Sequence, residues 1–183
     1  MLPKEQEISL TGRFYRLTYR LADHPLVATR ADHRFDHDDE ENPTSYLGDS
    51  VQTVLNEVEG GLSAGSGFSV QLRPGDYRLV TVDVQLTRVF DLSRRATQEA
   101  LGPLGALATD PGHPRELKTL GREARRAGIQ GFLWGSRQNP GGVCLVVFLE
   151  NMRRKILRSS KTGFLTNGQN SHARPVRRVA TLG

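Results

Sequence analysis

The sequence predicts an α+β fold, with a mixed β-sheet core and about three flanking helices. Segments that alternate apolar and polar residues, as half-buried strands do, recur along most of the chain. Three other segments carry the apolar spacing or the stop signals of helices. Strands and helices neither alternate regularly, as in a βαβ protein, nor form an all-β series. We therefore expect one sheet with helices packed against it.

The predicted strands are short and apolar or alternating. The clearest example runs from residue 77 to 86, where Leu79 begins a run of alternating apolar and polar residues. The predicted strands are residues 12–19, a short strand ending near Tyr46, 68–70, 77–86, 89–90, 129–134 and 143–149. The last two are expected to end the sheet.

Three helices are predicted, at residues 51–58, 91–101 and 116–127. The first follows Ser50, a residue type that caps helix N-termini. Its apolar residues are spaced at i, i+3, i+4 and i+7 and form one face; they are Val51, Val54, Leu55 and Val58. The third is basic and amphipathic and is followed by Gly128, a typical stop residue.

The connections between these elements contain most of the glycine, proline and clustered charge. Residues 21–45 form a long loop with a dense charged cluster at 33–41, and such loops are usually functional or disordered. Residues 60–67 carry four glycines and are predicted to be a flexible linker after the first helix. Residues 102–114 are predicted to be an irregular connection.

Size and composition indicate one domain. A chain of 183 residues is long enough to bury one hydrophobic core and too short to form two full-sized domains. No apolar stretch approaches the roughly 20 residues of a membrane span, and the first residues lack the layout of a signal peptide. The single cysteine, Cys144, excludes a disulfide framework and is predicted to be a core residue. We expect a cytoplasmic protein.

The positive net charge comes from the end of the chain. Eight of the 25 basic residues follow residue 150 and no acidic residue does, so residues 1–150 carry 17 basic and 20 acidic groups. We predict a domain at residues 10–150 and a basic, partly disordered extension at 151–183. A basic extension also suggests nucleic-acid binding, but Phe164 is its only aromatic residue. Direct nucleic-acid binding is therefore the weaker hypothesis.

Two polar residues at the ends of elements suggest a site. Glu57 lies beside the apolar face of the first helix, and Ser136 follows the apolar strand that ends near Trp134. Ser136 has no histidine and acid in triad order, so a serine-hydrolase nucleophile is rejected. His33 and His37 fit no zinc spacing, so no metal is predicted.

Several segments in this order resemble the RES domain, the toxin of a bacterial RES–Xre toxin–antitoxin pair. The matching segments are Tyr15-Arg16, Arg34-Phe35, Tyr46-Leu-Gly with Glu57, residues 84–92, residues 126–137 and residues 145–148. The match spans residues 10–150. The chain differs from the usual pattern at His33, where glycine is common, and at Gly48, where alanine is usual. Its loop between Arg34 and Tyr46 is unusually acidic.

The resemblance implies an ADP-ribosyltransferase-like fold and an enzyme that depletes NAD⁺ by cutting the nicotinamide–ribose bond. No cofactor beyond NAD⁺ as substrate is expected, and phosphate is a possible co-substrate. The resemblance also implies a partner antitoxin with a helix-turn-helix domain. A homodimer is possible, and no membrane association is expected.

Site residues follow from the resemblance. Glu57 is expected to stabilise the positive charge that develops on the ribose, and Arg34, with Arg16 second, to bind the pyrophosphate. Tyr46 and Phe35 are expected to pack against nicotinamide or ribose, and Ser136 to orient the substrate. The acceptor stays open between water and phosphate, and a protein ADP-ribosyltransferase is the alternative enzyme.

Overall fold

The computed structural model of the chain describes residues 2–22, 24, 26–27, 35, 43–68, 71–73, 75–107 and 112–152. Only the backbone is described for residues 65–66, 157–164 and 177–180. In chain order the elements are β1 Glu7–Tyr19, β2 Thr44–Gly48, α1 Val51–Ser66, β3 Tyr77–Asp91, α2 Arg95–Ala100, α3 Pro103–Leu107, α4 Pro114–Arg126, β4 Gly131–Gly135, β5 Val143–Phe148, β6 Leu157–Phe164 and β7 Arg177–Ala180. The α+β class is confirmed.

The described strands form a seven-stranded mixed sheet in the order β6-β3-β4-β5-β2-β1-β7. An additional pairing of β3 with β1 joins strands β1 to β5 in a closed ring. Among the strand pairs that the structure describes, β3–β4 alone is parallel. The two long strands make this closure possible, because each pairs with different neighbours along its length. The start of β1 pairs with β7, and Tyr15 further along pairs with Gly48 of β2.

Helices cover two separate regions of this ring. Helix α4 buries Leu117, Leu120 and Ala124 in a core cluster with aromatic residues of β3, β4 and β5. Helix α1 lies elsewhere, with Val54 packed against Tyr15 and Leu17 of β1. Burial of an amphipathic face in this way provides most of a helix's stability in a protein. The placement leaves α1 beside the junction of β1, β2 and β5.

The prediction of a flexible linker at residues 60–67 is wrong. Helix α1 continues to Ser66 and ends at Gly67, whose φ of 73° is left-handed. A Cβ on Gly60 would lie 2.5 Å from the side chain of Gln138, so the glycine allows the helix and a loop to approach closely. Each helical glycine costs about 1 kcal/mol relative to alanine. Tertiary packing along α1 offsets that cost.

Other element boundaries also differ from the predictions. Residues 77–86 and 89–90 belong to the single strand β3, and β1 begins at Glu7. Asp91 ends β3 instead of beginning a helix, because its carboxylate accepts hydrogen bonds from the backbone and hydroxyl of Ser93. Pro103–Leu107 is a short helix within the predicted irregular connection. Phe68 lies in a bend, and residues 69–70 are outside the described residues.

The C-terminal region contributes two strands, so β5 is not the last strand of the sheet. Strand β6 pairs with β3 and strand β7 pairs with β1, both antiparallel. The division into a domain at 10–150 and an extension at 151–183 stays a prediction. Within the part of the chain that the structure describes, no helix is long and apolar enough to cross a membrane.

A stability prediction concerns Gln130, which joins β3 to the turn before β4. Its buried side-chain oxygen accepts hydrogen bonds from the backbone N–H groups of Thr87 and Arg88, at 2.7 and 3.2 Å. The Gln130→Ala variant leaves both donors without this acceptor, so the free energy of unfolding should fall by about 1–3 kcal/mol. Urea unfolding followed by circular dichroism measures it. The control is Gln85→Ala at an exposed position of β3, expected to change stability by at most about 0.5 kcal/mol.

Candidate functional site

The N-terminus of α1 is anchored where β2 ends. Ser50 is its N-cap and accepts a hydrogen bond from the backbone N–H of Thr53 at 3.1 Å. The backbone N–H of Asp49 donates to the carbonyl of Val143 on β5. A Cβ on Gly48 would lie 2.8 Å from Val54, so glycine lets the helix pack closely against the strand. These contacts place Glu57, nearly two turns into α1, beside β5.

The loop between β4 and β5 supplies Ser136. The backbone N–H of Ser136 donates to the carbonyl of Gly142, and the N–H of Gly142 donates to the carbonyl of Asn139, both at 2.8 Å. Ser136 is 9% exposed. The loop is therefore a tight turn that holds its first residue inward, towards α1.

Glu57 and Ser136, 79 residues apart in the sequence, are in direct contact. The Ser136 hydroxyl donates to Glu57 Oε1 at 2.5 Å, and Ser136 Oγ accepts from the backbone N–H of Asn139 at 2.9 Å. A hydroxyl has only one proton to donate. Since the Asn139 contact uses Oγ as an acceptor, that proton is directed to the carboxylate. Ser136 thus orients Glu57.

A further chain of hydrogen bonds attaches this loop to the start of α1. The side-chain amide of Asn139 donates to Thr53 Oγ1 at 2.9 Å, and Thr53 Oγ1 donates to Asp49 Oδ1 at 2.7 Å. A Cβ on Gly142 would lie 2.5 Å from Thr53 Oγ1 and 2.7 Å from Asn139 Nδ2. Glycine at position 142 therefore gives the amide room to reach the helix.

Cys144 of β5 lies next to the same two residues. Burial raises the pKa of its thiol, and the neighbouring Glu57 carboxylate raises that pKa further. A thiol with a raised pKa stays protonated at neutral pH and is a poor nucleophile. The prediction of a buried Cys144 agrees with its 4% exposure. Its position beside Glu57 was not predicted.

A cavity of about 550 Å³ opens between α1 and the strands β1 and β2. Glu57, Arg16 and Tyr46 are among the residues that line it, together with Trp134 and Cys144. Its remaining lining residues are Leu17, Thr18, Tyr19, Leu47, Gly48, Thr53, Val54, Val58, Gly61, Leu62 and Tyr77. A single carboxylate on a mostly apolar wall can stabilise a positive charge that develops within the cavity.

Arg16 is a buried residue of the cavity wall. Its guanidinium donates to the carbonyl oxygens of Tyr46 and Val27, at 3.0 and 2.9 Å. Only 8% of the residue is exposed. The arginine therefore joins β1 to β2 and to the loop that follows β1, and it also lines the cavity.

The aromatic candidates have different positions. Tyr46 lines the cavity, its ring lies edge-on to Trp134, and its hydroxyl accepts from the backbone N–H of Phe35. Phe35 itself is fully buried against Phe132 and Trp134 and is not among the cavity residues. Phe35 therefore packs behind Tyr46, and its contact with nicotinamide or ribose stays a prediction. Arg34 and the charged cluster at 36–41 lie outside the described residues.

Trp134, Thr53 and Asn139 belong to the site but were not predicted as site residues. Trp134 looked like an ordinary core residue of a strand, and the pattern around Thr53 and Asn139 carries no local signal.

Among the residues that the structure describes, no group of three His, Cys, Asp or Glu side chains is placed to hold a metal ion.

A comparison with protein-family models decides the family. The model of the RES domain matches residues 13–162, most of the chain. The chain belongs to the RES domain family. The match includes residues on both sides of 150, among them most of β6.

Similar proteins come from mycobacteria. The chain is 38% identical over 60 residues to proteins named NAD(+) phosphorylase MbcT from Mycobacterium bovis and Mycobacterium tuberculosis. That segment covers 33% of this chain and 32% of the length of these relatives. A chain in the crystal structure of the M. tuberculosis MbcT–MbcA toxin–antitoxin complex matches with a TM-score of 0.69 and 26% identity, over 88% of each chain.

Proposed function

We propose that this RES domain protein is a toxin that depletes NAD⁺ by cleaving its nicotinamide–ribose bond, with phosphate as the acceptor. The observation that carries the proposal is the Glu57 carboxylate, held by Ser136 on the wall of a cavity of about 550 Å³. The similarity to proteins named NAD(+) phosphorylase supports phosphate as the acceptor.

The reaction requires little from the protein beyond placement of charge. The C1″–N bond breaks with both of its electrons passing to the pyridinium nitrogen, so nicotinamide leaves as a neutral molecule. Positive charge develops on the ribose in an oxocarbenium-like transition state. A phosphate oxygen then bonds to C1″ and gives ADP-ribose 1″-phosphate. A carboxylate beside the ribose stabilises the transition state more than the ground state, and therefore raises kcat.

In this proposal Glu57 is the catalytic carboxylate. Ser136 fixes the orientation of that carboxylate, because its only proton is directed to Oε1. Tyr46 and Trp134 form an aromatic wall for the nicotinamide. Arg16 lies on the same wall, where its positive charge attracts the anionic part of the substrate. Phe35 supports Tyr46 through its backbone. Arg34 stays a predicted ligand of the pyrophosphate.

We also propose that a partner antitoxin holds the protein inactive. The support is the similarity in fold to a chain of a toxin–antitoxin complex, over 88% of both chains. A helix-turn-helix domain in that antitoxin stays a prediction from the sequence. Co-expression of the protein with the product of the adjacent reading frame, followed by size-exclusion chromatography, would test the complex.

Products distinguish the proposed reaction from its alternatives. Purified protein incubated with NAD⁺ and phosphate should release nicotinamide and ADP-ribose 1″-phosphate, identified by mass spectrometry. Turnover should fall at least about tenfold when phosphate is omitted. ADP-ribose as the main product in both conditions would indicate a glycohydrolase, and a mass increase on a protein would indicate an ADP-ribosyltransferase. Intact NAD⁺ under all conditions would contradict the proposed function.

A further inference from the structure

One end of the cavity carries an aromatic pair that the proposed bond cleavage does not use. Tyr19 at the end of β1 and Tyr77 at the start of β3 are direct cross-strand partners. Their rings are stacked, with centroids 4.9 Å apart and planes inclined by 28°. Both residues line the same cavity as Glu57. We propose that this pair is the binding platform for the adenine ring of the substrate, an inference that rests on the proposed function.

The sheet register separates this pair from the catalytic end. Cys144, Gly48 and Tyr15 are paired across β5, β2 and β1, and this row lies beside Glu57. Tyr19 is four residues further along β1, which is about 13 Å at the usual rise per residue of a strand. A dinucleotide carries two ring systems joined by two riboses and a pyrophosphate. It therefore needs two separate ring-binding positions in one cavity.

The surroundings of the pair suit a flat, mostly apolar ring. Leu62 and Gly61 of α1 line the cavity together with Tyr19 and Tyr77. Tyr19 is 47% exposed although it stacks on its partner, so much of the residue remains available to a ligand. Purine bases stack well on aromatic side chains, because every base offers a π-face.

The Tyr19–Tyr77 pair is not needed to hold strands β1 and β3 together. Strands β1 and β3 are in register over most of the length of β1, and the core residues Phe14 and Val82 already join them in the interior. Among the described residues only Tyr19, Leu21 and Phe68 are large hydrophobic residues with high exposure. Of these three, Tyr19 alone is among the residues that line the cavity.

The test uses ADP, which carries the adenine and the pyrophosphate but no bond that the enzyme would cut. Isothermal titration should show that Tyr19→Ala weakens ADP binding about 5- to 30-fold, whereas Tyr19→Phe, which keeps the ring, stays within about twofold. The matched control, Phe68→Ala, removes an exposed aromatic residue outside the cavity and should leave the affinity unchanged. Thermal unfolding of each variant confirms that the fold is intact.

A second measurement separates the two halves of the substrate. Nicotinamide mononucleotide lacks the adenosine, so its inhibition constant against NAD⁺ cleavage should be the same for the parent protein and Tyr19→Ala. Unchanged ADP binding in Tyr19→Ala, or an equal weakening of ADP and nicotinamide mononucleotide, would overturn the adenine platform. If ADP binding depends on Tyr19 but NAD⁺ is never cleaved, the platform stands and the proposed function fails.

Discussion

The Glu57→Gln variant should lose about 10²- to 10³-fold in kcat for NAD⁺ cleavage, with a much smaller change in KM. Glutamine keeps the size of the side chain and can still accept the hydrogen bond from Ser136, but it removes the negative charge. A preorganised charge that faces a developing charge of opposite sign typically contributes this much to the rate. Initial rates of nicotinamide release at saturating phosphate measure the loss, and expression of the variant should no longer arrest bacterial growth.

The neighbouring residue Glu59 provides the matched control for Glu57. It lies on the same helix, and its carboxylate accepts a hydrogen bond from the backbone N–H of Leu72, away from Ser136. Glu59→Gln removes the same charge and should keep kcat within about threefold. A Glu57→Gln protein that is folded, still consumes NAD⁺ at the parental rate and still arrests growth would show that Glu57 is not the catalytic carboxylate.

The Ser136→Ala variant should lower kcat about 10- to 150-fold. The lost hydrogen bond to a charged group is worth about 1.5–3 kcal/mol, and each 1.4 kcal/mol is a factor of ten. The reason is orientation: without the hydroxyl, the Glu57 carboxylate is free to turn away from the cavity. Steady-state rates of NAD⁺ cleavage measure the effect, and a change confined to KM would contradict it.

A double-mutant cycle shows whether Ser136 is itself positioned by its loop. Asn139→Ala removes the amide that attaches the loop to Thr53, so it should lower kcat in the parent protein but add little once Ser136 is alanine. Asn56→Ala is the control, because the Asn56 amide also joins α1 to this loop, at the carbonyl of Gln138, without reaching Ser136. Additive losses in the Ser136→Ala, Asn139→Ala protein would show that Asn139 acts independently of Ser136.

The Cys144 thiol is a second hydrogen-bond donor near Glu57, besides the Ser136 hydroxyl, but it is not a reactive nucleophile. Because burial and the adjacent carboxylate raise the pKa of the thiol, it stays a thiol at neutral pH. The residue therefore contributes volume and a weak donor to the cavity wall. Among the described residues that line the cavity, Glu57 is the only one with a carboxylate.

Much of the local structure could be predicted because its causes are local. Helix α1 starts after Ser50 because a serine side chain can bond the free N–H groups of the first turn, and α4 is followed by Gly128 because glycine adopts a positive φ readily. The linker prediction at residues 60–67 failed because the contact that decides the structure there is not local. Glycine's low helix propensity is visible in the sequence, whereas its close packing against Gln138 is not.

The sequence by itself determined the class of the fold, the family resemblance and the two candidate residues Glu57 and Ser136. Only the tertiary structure decided that these two residues touch and that a hydrogen bond from Asn139 to Thr53 joins the β4–β5 loop to α1. It also decided that Tyr19 and Tyr77 line the same cavity as Glu57. Residue types and periodicity report what a segment does within a few residues of itself. A 2.5 Å contact across 79 residues depends instead on the register of several strands and on the placement of one helix, and these are fixed only when the whole sheet closes.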